Sequence, residues 1–237
     1  MLAVALKKVK QDIVEACNAA NRSVNDIELI AVSKTQPQEK IEALTQEGHF
    51  VFGESYAQEL IEKAEKLKHL PIKWVFIGPL QSNKIGKIVK IAKEIQSVST
   101  EKQAKFIARY VNEYADDKVQ DRFPIYIQVN AGDEQSKQGV SLGEAEDFSH
   151  FIAKNFTELD IQGIMAIPPF SYQDDRFTGK LPELYEKLNQ ISKKIGRGKL
   201  SLGMSGDLRM AIMAGSTCIR IGTSIFGSRS TIETNEN

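Results

Sequence analysis

A lysine closes an apolar run in LIAVSKT, Leu29–Thr35. Alternate residues of a strand face opposite sides, so Val32 and Lys34 share one face and Ala31 and Ser33 the other. If that face lines a pocket, desolvation disfavours the ammonium and releases a neutral amine. A neutral lysine amine forms Schiff bases with carbonyls. A strand-end lysine can also snorkel, with its head in water, and position alone does not separate the two. Two further stretches hold small residues and exposed amides. In LGMSGD, Leu202–Asp207, Ser205 and Gly206 open a short helix. Free backbone N–H groups and the positive end of the dipole gather at such a start, which suits phosphate. The same groups serve simple N-capping by serine. In IRIGTSIFG, Ile219–Gly227, Gly222 and Thr223 end another apolar run, with Arg220 two residues before Gly222 on the same face. An arginine on a buried face needs a partner, and a ring nitrogen or a carboxylate would serve.

Hydrophobic period gives the strands and helices that carry these residues. Eight short apolar runs read as strands: ELIAVSK, HFVFGE, KWVFIG, EIQSVS, PIYIQVN, DIQGIMAI, KLSLGM and CIRIGTSIFG. Helical spacing fills the gaps over residues 38–47, 55–67, 83–93, 100–114, 141–154, 181–195 and 205–214, with a leading helix at 5–20. Ser55 is a cap candidate, and Ser141 with Glu144 makes a capping-box pattern. Near-continuously apolar strands alternating with helices predict parallel βαβ units. Eight such units predict an α/β fold of the (β/α)8 type, a TIM-type barrel with an extra N-terminal helix. A doubly wound sheet is the alternative, but no GxGxxG follows the first strand. In (β/α)8 barrels the active site lies at the C-terminal strand ends, and phosphate commonly sits after strands 7 and 8. Here those two loops are the serine-, glycine- and threonine-rich ones. A lysine after strand 1 and a phosphate seat after strands 7 and 8 point to a phosphorylated aldehyde. Pyridoxal 5′-phosphate (PLP) fits first; the sugar phosphate of a Schiff-base aldolase fits second.

Composition narrows the class. The chain has 237 residues, 31 basic and 31 acidic, and a formal net charge of zero. Balance of that kind argues against nucleic acid or a membrane surface held by bulk charge. No stretch approaches the roughly 18 apolar residues of a membrane span, and the N-terminus lacks a signal-peptide pattern. Two cysteines far apart and three isolated histidines give no disulfide framework and no metal spacing. The expectation is a cytoplasmic protein without a metal site. Residues 1–228 read as one barrel domain and 229–237 as a polar tail.

The sequence resembles the YggS/PROSC family of PLP homeostasis proteins, which look like the alanine racemase barrel standing alone. The matching stretches are LIAVSKTQP, FGES-YAQE, FIGPLQSNK, QVNAGDEQSKQG, IQGIMAIPP, LSLGMSGDL and AIMAGSTCIRIGTSIFG, spread from residue 29 to 227. The resemblance implies that Lys34 carries the cofactor as a Schiff base. It implies that Ser205, Gly222 and Thr223 hold the phosphate, and that Arg220 faces the pyridine nitrogen. It also places Asn83, Met165 and the Gly53–Glu54 turn around the cofactor. Two positions depart from the family pattern: Ser55 replaces a common asparagine, and Val75 replaces a frequent histidine.

An arginine beside the pyridine nitrogen keeps it unprotonated, so the ring is a weak electron sink. No second acid/base is identifiable among the tyrosines, and the racemase's second domain has no counterpart after Gly227. The resemblance therefore implies a PLP-binding protein in PLP and amino-acid homeostasis without catalytic residues of its own or robust turnover. A weak amino-acid racemase is the rival. The expected partners are PLP and apo forms of PLP-dependent enzymes, with no nucleic acid and no membrane, and the expected state is monomeric. Lys84, Lys87, Lys90 and Lys93 could form a basic docking face, but the stripe of Ile85, Ile88 and Ile91 beside them favours a solvated helix face. The polar segment Phe170–Lys180 is a candidate gate.

Overall fold

The eight apolar runs pair in parallel, in chain order, into a closed barrel. The computed structural model describes residues 1–114, 122–132, 138–172 and 181–227. The strands are β1 (Glu28–Val32), β2 (Val51–Glu54), β3 (Lys73–Phe76), β4 (Glu94–Val98), β5 (Phe123–Val129), β6 (Leu159–Ala166), β7 (Lys199–Ser201) and β8 (Cys218–Ile221). β8 returns to β1 with Glu28 opposite Cys218 and Ala31 opposite Ile221, which closes the ring.

The helices are α1 (Leu2–Ala19), α2 (Gln38–Gln46), α3 (Ala57–Lys66), α4 (Ile85–Ile91), α5 (Glu101–Glu113), α6 (Ala145–Asn155), α7 (Glu183–Ser192), α8 (Leu208–Met213) and α9 (Thr223–Phe226). Most are amphipathic, and each packs its apolar stripe on the barrel or on a neighbouring helix. On α5 the buried stripe is Ala104, Ile107, Ala108 and Val111, and Thr100 caps the start by accepting from the Gln103 N–H. The larger apolar core thus lies between barrel and helices, with Phe52, Trp74, Phe76 and Ile95 among its members. Inside the barrel sits a small second cluster of Ile30, Val75 and Cys218, with Val51 and Ile77 against it. Val75, at the position where the family often has histidine, is therefore an interior packing residue.

Several helix starts differ from the sequence reading. α3 begins at Ala57 behind Tyr56, and no side chain caps it, so Ser55 is not its cap. α8 begins at Leu208, and Ser205 lies in the turn ahead of it. Ser141 and Glu144 do form the reciprocal capping pair, with Ser141 Oγ donating to Glu144 Oε2 at 2.6 Å and accepting from the Glu144 N–H at 3.3 Å. The regular helix then starts one residue later, at Ala145. On α4, Ile85, Ile88 and Val89 are buried while Lys87 and Lys90 are exposed, and Lys90 lies over the Tyr114 ring at 5.8 Å. No helix among the described residues is long and apolar enough to cross a membrane. The polar tail, and residues 173–180 of the candidate gate, lie outside the described residues.

Candidate functional site

The C-terminal strand ends enclose a cavity of about 340 Å³. That falls within the roughly 300–1,000 Å³ of small-molecule pockets. Lys34, Met165, Ser205, Arg220, Gly222 and Thr223 all line it. Asn83 does not; it is exposed in the turn before α4. Val32, Gln36, Ser55, Ile77, Ile167, Met204, Gly206 and Gly227 complete the wall. Ser55, the departure from the family asparagine, thus faces the cavity rather than a helix end. Among the described residues the wall carries two cationic side chains, Lys34 and Arg220, and no carboxylate. Such a surface attracts an anion.

Lys34 lies just beyond β1, in a turn closed by the Gln36 N–H donating to Ser33 O at 3.0 Å. The turn places Thr35 at φ 61°. That left-handed conformation at the third turn position is the glycine position of a type II turn. A β-branched residue there is an outlier, at a cost of about 1–3 kcal/mol that the surroundings must offset. They do so through a buried ion cluster. Lys63 of α3 spends all three ammonium protons, on Ser33 O (2.8 Å), Glu54 Oε1 (2.8 Å) and Glu59 Oε2 (2.9 Å). Glu59 Oε2 also accepts the Thr35 N–H at 2.8 Å, and the Ser33 hydroxyl donates to Glu54 Oε1 at 2.7 Å. Burial pushes the fully buried Glu54 carboxyl up, against the pull of Lys63 and Ser33. Burial also pushes Glu59 up, but its hydrogen bonds from Lys63 and Thr35 outweigh this and leave it below the usual range. The sequence reading singled out the Gly53–Glu54 turn as lying near the cofactor. Neither Gly53 nor Glu54 lines the cavity; the Glu54 carboxylate accepts from the Ser33 hydroxyl and from Lys63, which in turn holds the Ser33 carbonyl beside Lys34.

Arg220 is 4 % exposed. Its guanidinium donates to Ser201 Oγ and, at 2.8 Å, to Ala166 O. Burial lowers its pKa. Ser201 passes the chain on, donating to Gln96 Oε1 at 2.7 Å, and Gln96 donates to Glu94 Oε1 at 2.6 Å. Glu94 and Glu28 share Lys73 at 3.2 and 2.7 Å. A polar file therefore runs through the barrel from the cavity to its far end and fixes the arginine in direction. Tyr126 is buried, and burial pushes its hydroxyl far above the usual range, so it packs as a neutral group.

The loop after β7 is held by Asp207. Its Oδ1 accepts the Met204 N–H at 2.7 Å and its Oδ2 the Tyr185 hydroxyl at 2.7 Å. Ser205 Oγ accepts the Ser224 N–H at 3.3 Å, so the loops after β7 and β8 are joined beside the cavity. Ser201 and Asp207 lie inside the LSLGMSGDL stretch, but their roles are not legible there, because each is defined by partners distant in the chain. The wall as a whole suits a flat phosphorylated aldehyde: an amine, apolar side chains for the faces of a ring, hydroxyls and glycine amides for an anion.

Known proteins share the sequence and the barrel. The family model for the alanine racemase N-terminal domain matches residues 5–230. A pyridoxal phosphate homeostasis protein of Pasteurella multocida is 37 % identical over 230 residues, covering 94 % of this chain and 96 % of that protein. PipY of Synechococcus elongatus, solved with PLP bound, superposes with a TM-score of 0.74 at 26 % identity, covering 96 % of this chain and 100 % of that one. Alanine racemase from Corynebacterium glutamicum shares the fold at a TM-score of 0.65 and 12 % identity, over 98 % of this chain and 64 % of its own. The chain belongs to the pyridoxal phosphate homeostasis family, built on the alanine racemase N-terminal barrel.

Proposed function

We propose that the protein holds pyridoxal 5′-phosphate as a Schiff base on Lys34 and serves PLP and amino-acid homeostasis inside the cell without robust turnover. The observation that carries this is one cavity that gathers the Lys34 amine, the Ser205, Gly222 and Thr223 loops and the Arg220 guanidinium. Bound PLP supplies an electron sink for amino-acid chemistry, and its strength depends on protonation of the ring nitrogen. Ser205 and Thr223 offer hydroxyls, and Gly206 and Gly222 backbone amides, to the phosphate. Lys34 supplies the amine that binds the aldehyde. Arg220 stays charged despite burial, since guanidinium loses its proton only far above neutral pH, and a cation facing the ring nitrogen holds that nitrogen unprotonated. Among the described residues the wall also lacks a carboxylate, histidine, tyrosine or cysteine that could move a second proton. Both features support a holder over a racemase. Apo forms of PLP-dependent enzymes are the proposed recipients of the cofactor, and the proposed working form is a cytoplasmic monomer.

The test is the visible absorbance spectrum of the purified protein before and after borohydride, beside Lys34→Ala. A yellow imine band, bleached by borohydride and missing in the variant, is the expected result. A colourless protein that gains no band with added PLP rejects the reading. Steady conversion of L-alanine to D-alanine, abolished by Lys34→Ala, would replace it with the racemase.

A further inference from the structure

Three observations around Lys34 converge on residues that never touch the cavity. The turn carrying Lys34 holds a threonine at φ 61°, a conformation that does not persist unaided. The backbone groups on both sides of Lys34, the Ser33 carbonyl and the Thr35 amide, are bonded to charged side chains of α3, at 2.8 Å each. Those side chains are tied to the end of β2 through the buried Glu54 carboxyl, 2.8 Å from Lys63. Neither Lys63 nor Glu59 lines the cavity.

We propose that Lys63 and Glu59 are positioning residues for Lys34: their ion cluster clamps the strained turn and thereby aims the Lys34 amine at the cofactor aldehyde. The inference rests on the PLP reading above. Charge-assisted bonds to Ser33 O and the Thr35 N–H are stronger than neutral ones, and they fix the peptide planes from which the Lys34 side chain departs. Imine formation joins Lys34 Nζ to the aldehyde carbon and expels the aldehyde oxygen as water; the imine stays in place only while the amine remains aimed. Releasing the clamp lets Thr35 relax toward ordinary φ and turns the amine away, which speeds hydrolytic loss of the cofactor.

Lys63→Met leaves the buried Glu54 carboxylate without its cation and threatens folding, so the main variant is Glu59→Ala, with Glu59→Gln as the conservative rescue. PLP-loaded wild type and variants are dialysed, and the decay of the imine band and its pH midpoint are followed. The melting temperature of the PLP-free forms is measured in parallel. The expected result is cofactor loss at least about tenfold faster in Glu59→Ala, with a shifted pH midpoint, because the variant removes the acceptor of two charge-assisted hydrogen bonds, from the Thr35 N–H and from Lys63. Glu59→Gln, which keeps an acceptor for the Thr35 N–H, recovers most of both. A Glu59→Ala protein that melts lower without PLP yet keeps the wild-type rate and midpoint would show a purely structural cluster and overturn the proposal. Absence of the band from wild type would instead reject the PLP reading itself, so the two failures are distinct.

Discussion

Asp207 sits at the join between fold and site. It is fully buried and accepts from the Met204 N–H and the Tyr185 hydroxyl, so it sets the path of the loop that brings Ser205 to the cavity. Burial raises its pKa, and its hydrogen bonds and Arg220 offset this in part. A carboxyl whose folded pKa is raised binds its proton more tightly when folded, so its contribution is fully present below the unfolded value of about 3.9 and is lost as pH rises through the folded value. Asn at the same position does not titrate. Asp207→Asn should therefore gain on wild type in melting temperature as pH is raised from about 4 to about 8. A difference independent of pH would mean that the carboxyl ionises as freely when folded as when unfolded. At this scale the sequence was legible where type and spacing coincide: Lys34 at a strand end, Arg220 two before Gly222. It was not legible for Asp207, whose role depends on Tyr185, 22 positions away.

The elements divide in the same way. All eight strands lie on the short runs bounded by turn residues, because burial on both faces keeps many of their positions apolar; Glu94, Gln96, Ser97 and Ser201 are buried polar exceptions, and the last run overshoots its strand, since Thr223–Phe226 is α9. Helix starts at Ser55 and Ser205 did not follow, because capping depends on backbone geometry that a serine alone does not fix. Ser55 and Ser205 face the cavity instead. The β7 end shows how tightly the elements confine these loops. Gly203 has φ 106°, and a Cβ there would lie 2.6 Å from Ala211 Cβ and 2.8 Å from Ile219 Cδ1. Its carbonyl accepts the Arg220 N–H at 2.9 Å. Gly203→Ala combines backbone strain of about 1–3 kcal/mol with overpacking of similar size. A loss of about 2 kcal/mol or more in urea unfolding is expected, together with weaker PLP retention as the loop bearing Ser205 shifts. Unchanged stability would show that the β7–α8 junction has room to give.

The molecule as a whole is sealed by its leading helix. α1 buries Leu6, Val9, Ile13, Ala16 and Cys17, and it packs against α8, α9 and α2. Arg22, just beyond it, donates to Ile212 O at 2.8 Å and Ser216 O at 2.6 Å, tying α1 to the end of α8. The helix thus braces α8 and α9, beside the two loops that line the cavity. Leu6→Ala should cost about 2–5 kcal/mol of unfolding free energy, the range for a buried leucine, as read by urea titration. A cost below about 1 kcal/mol would mean that α1 is an appendage rather than part of the closed core.

The order and parallel pairing of eight strand–helix units are legible in the amino-acid pattern, since hydrophobic period is local and survives any arrangement of neighbours. The pattern also places Lys34, the glycine- and serine-rich loops and Arg220 at strand ends, because strand alternation is set within a few residues. Which distant groups meet is set by the folded chain alone. Lys63 reaches Ser33 across 30 positions and Ser201 reaches Gln96 across 105. A hydrogen bond forms only within about 3 Å. Whether two side chains come that close is fixed by how strands close into a ring and helices pack on it, which no local pattern records.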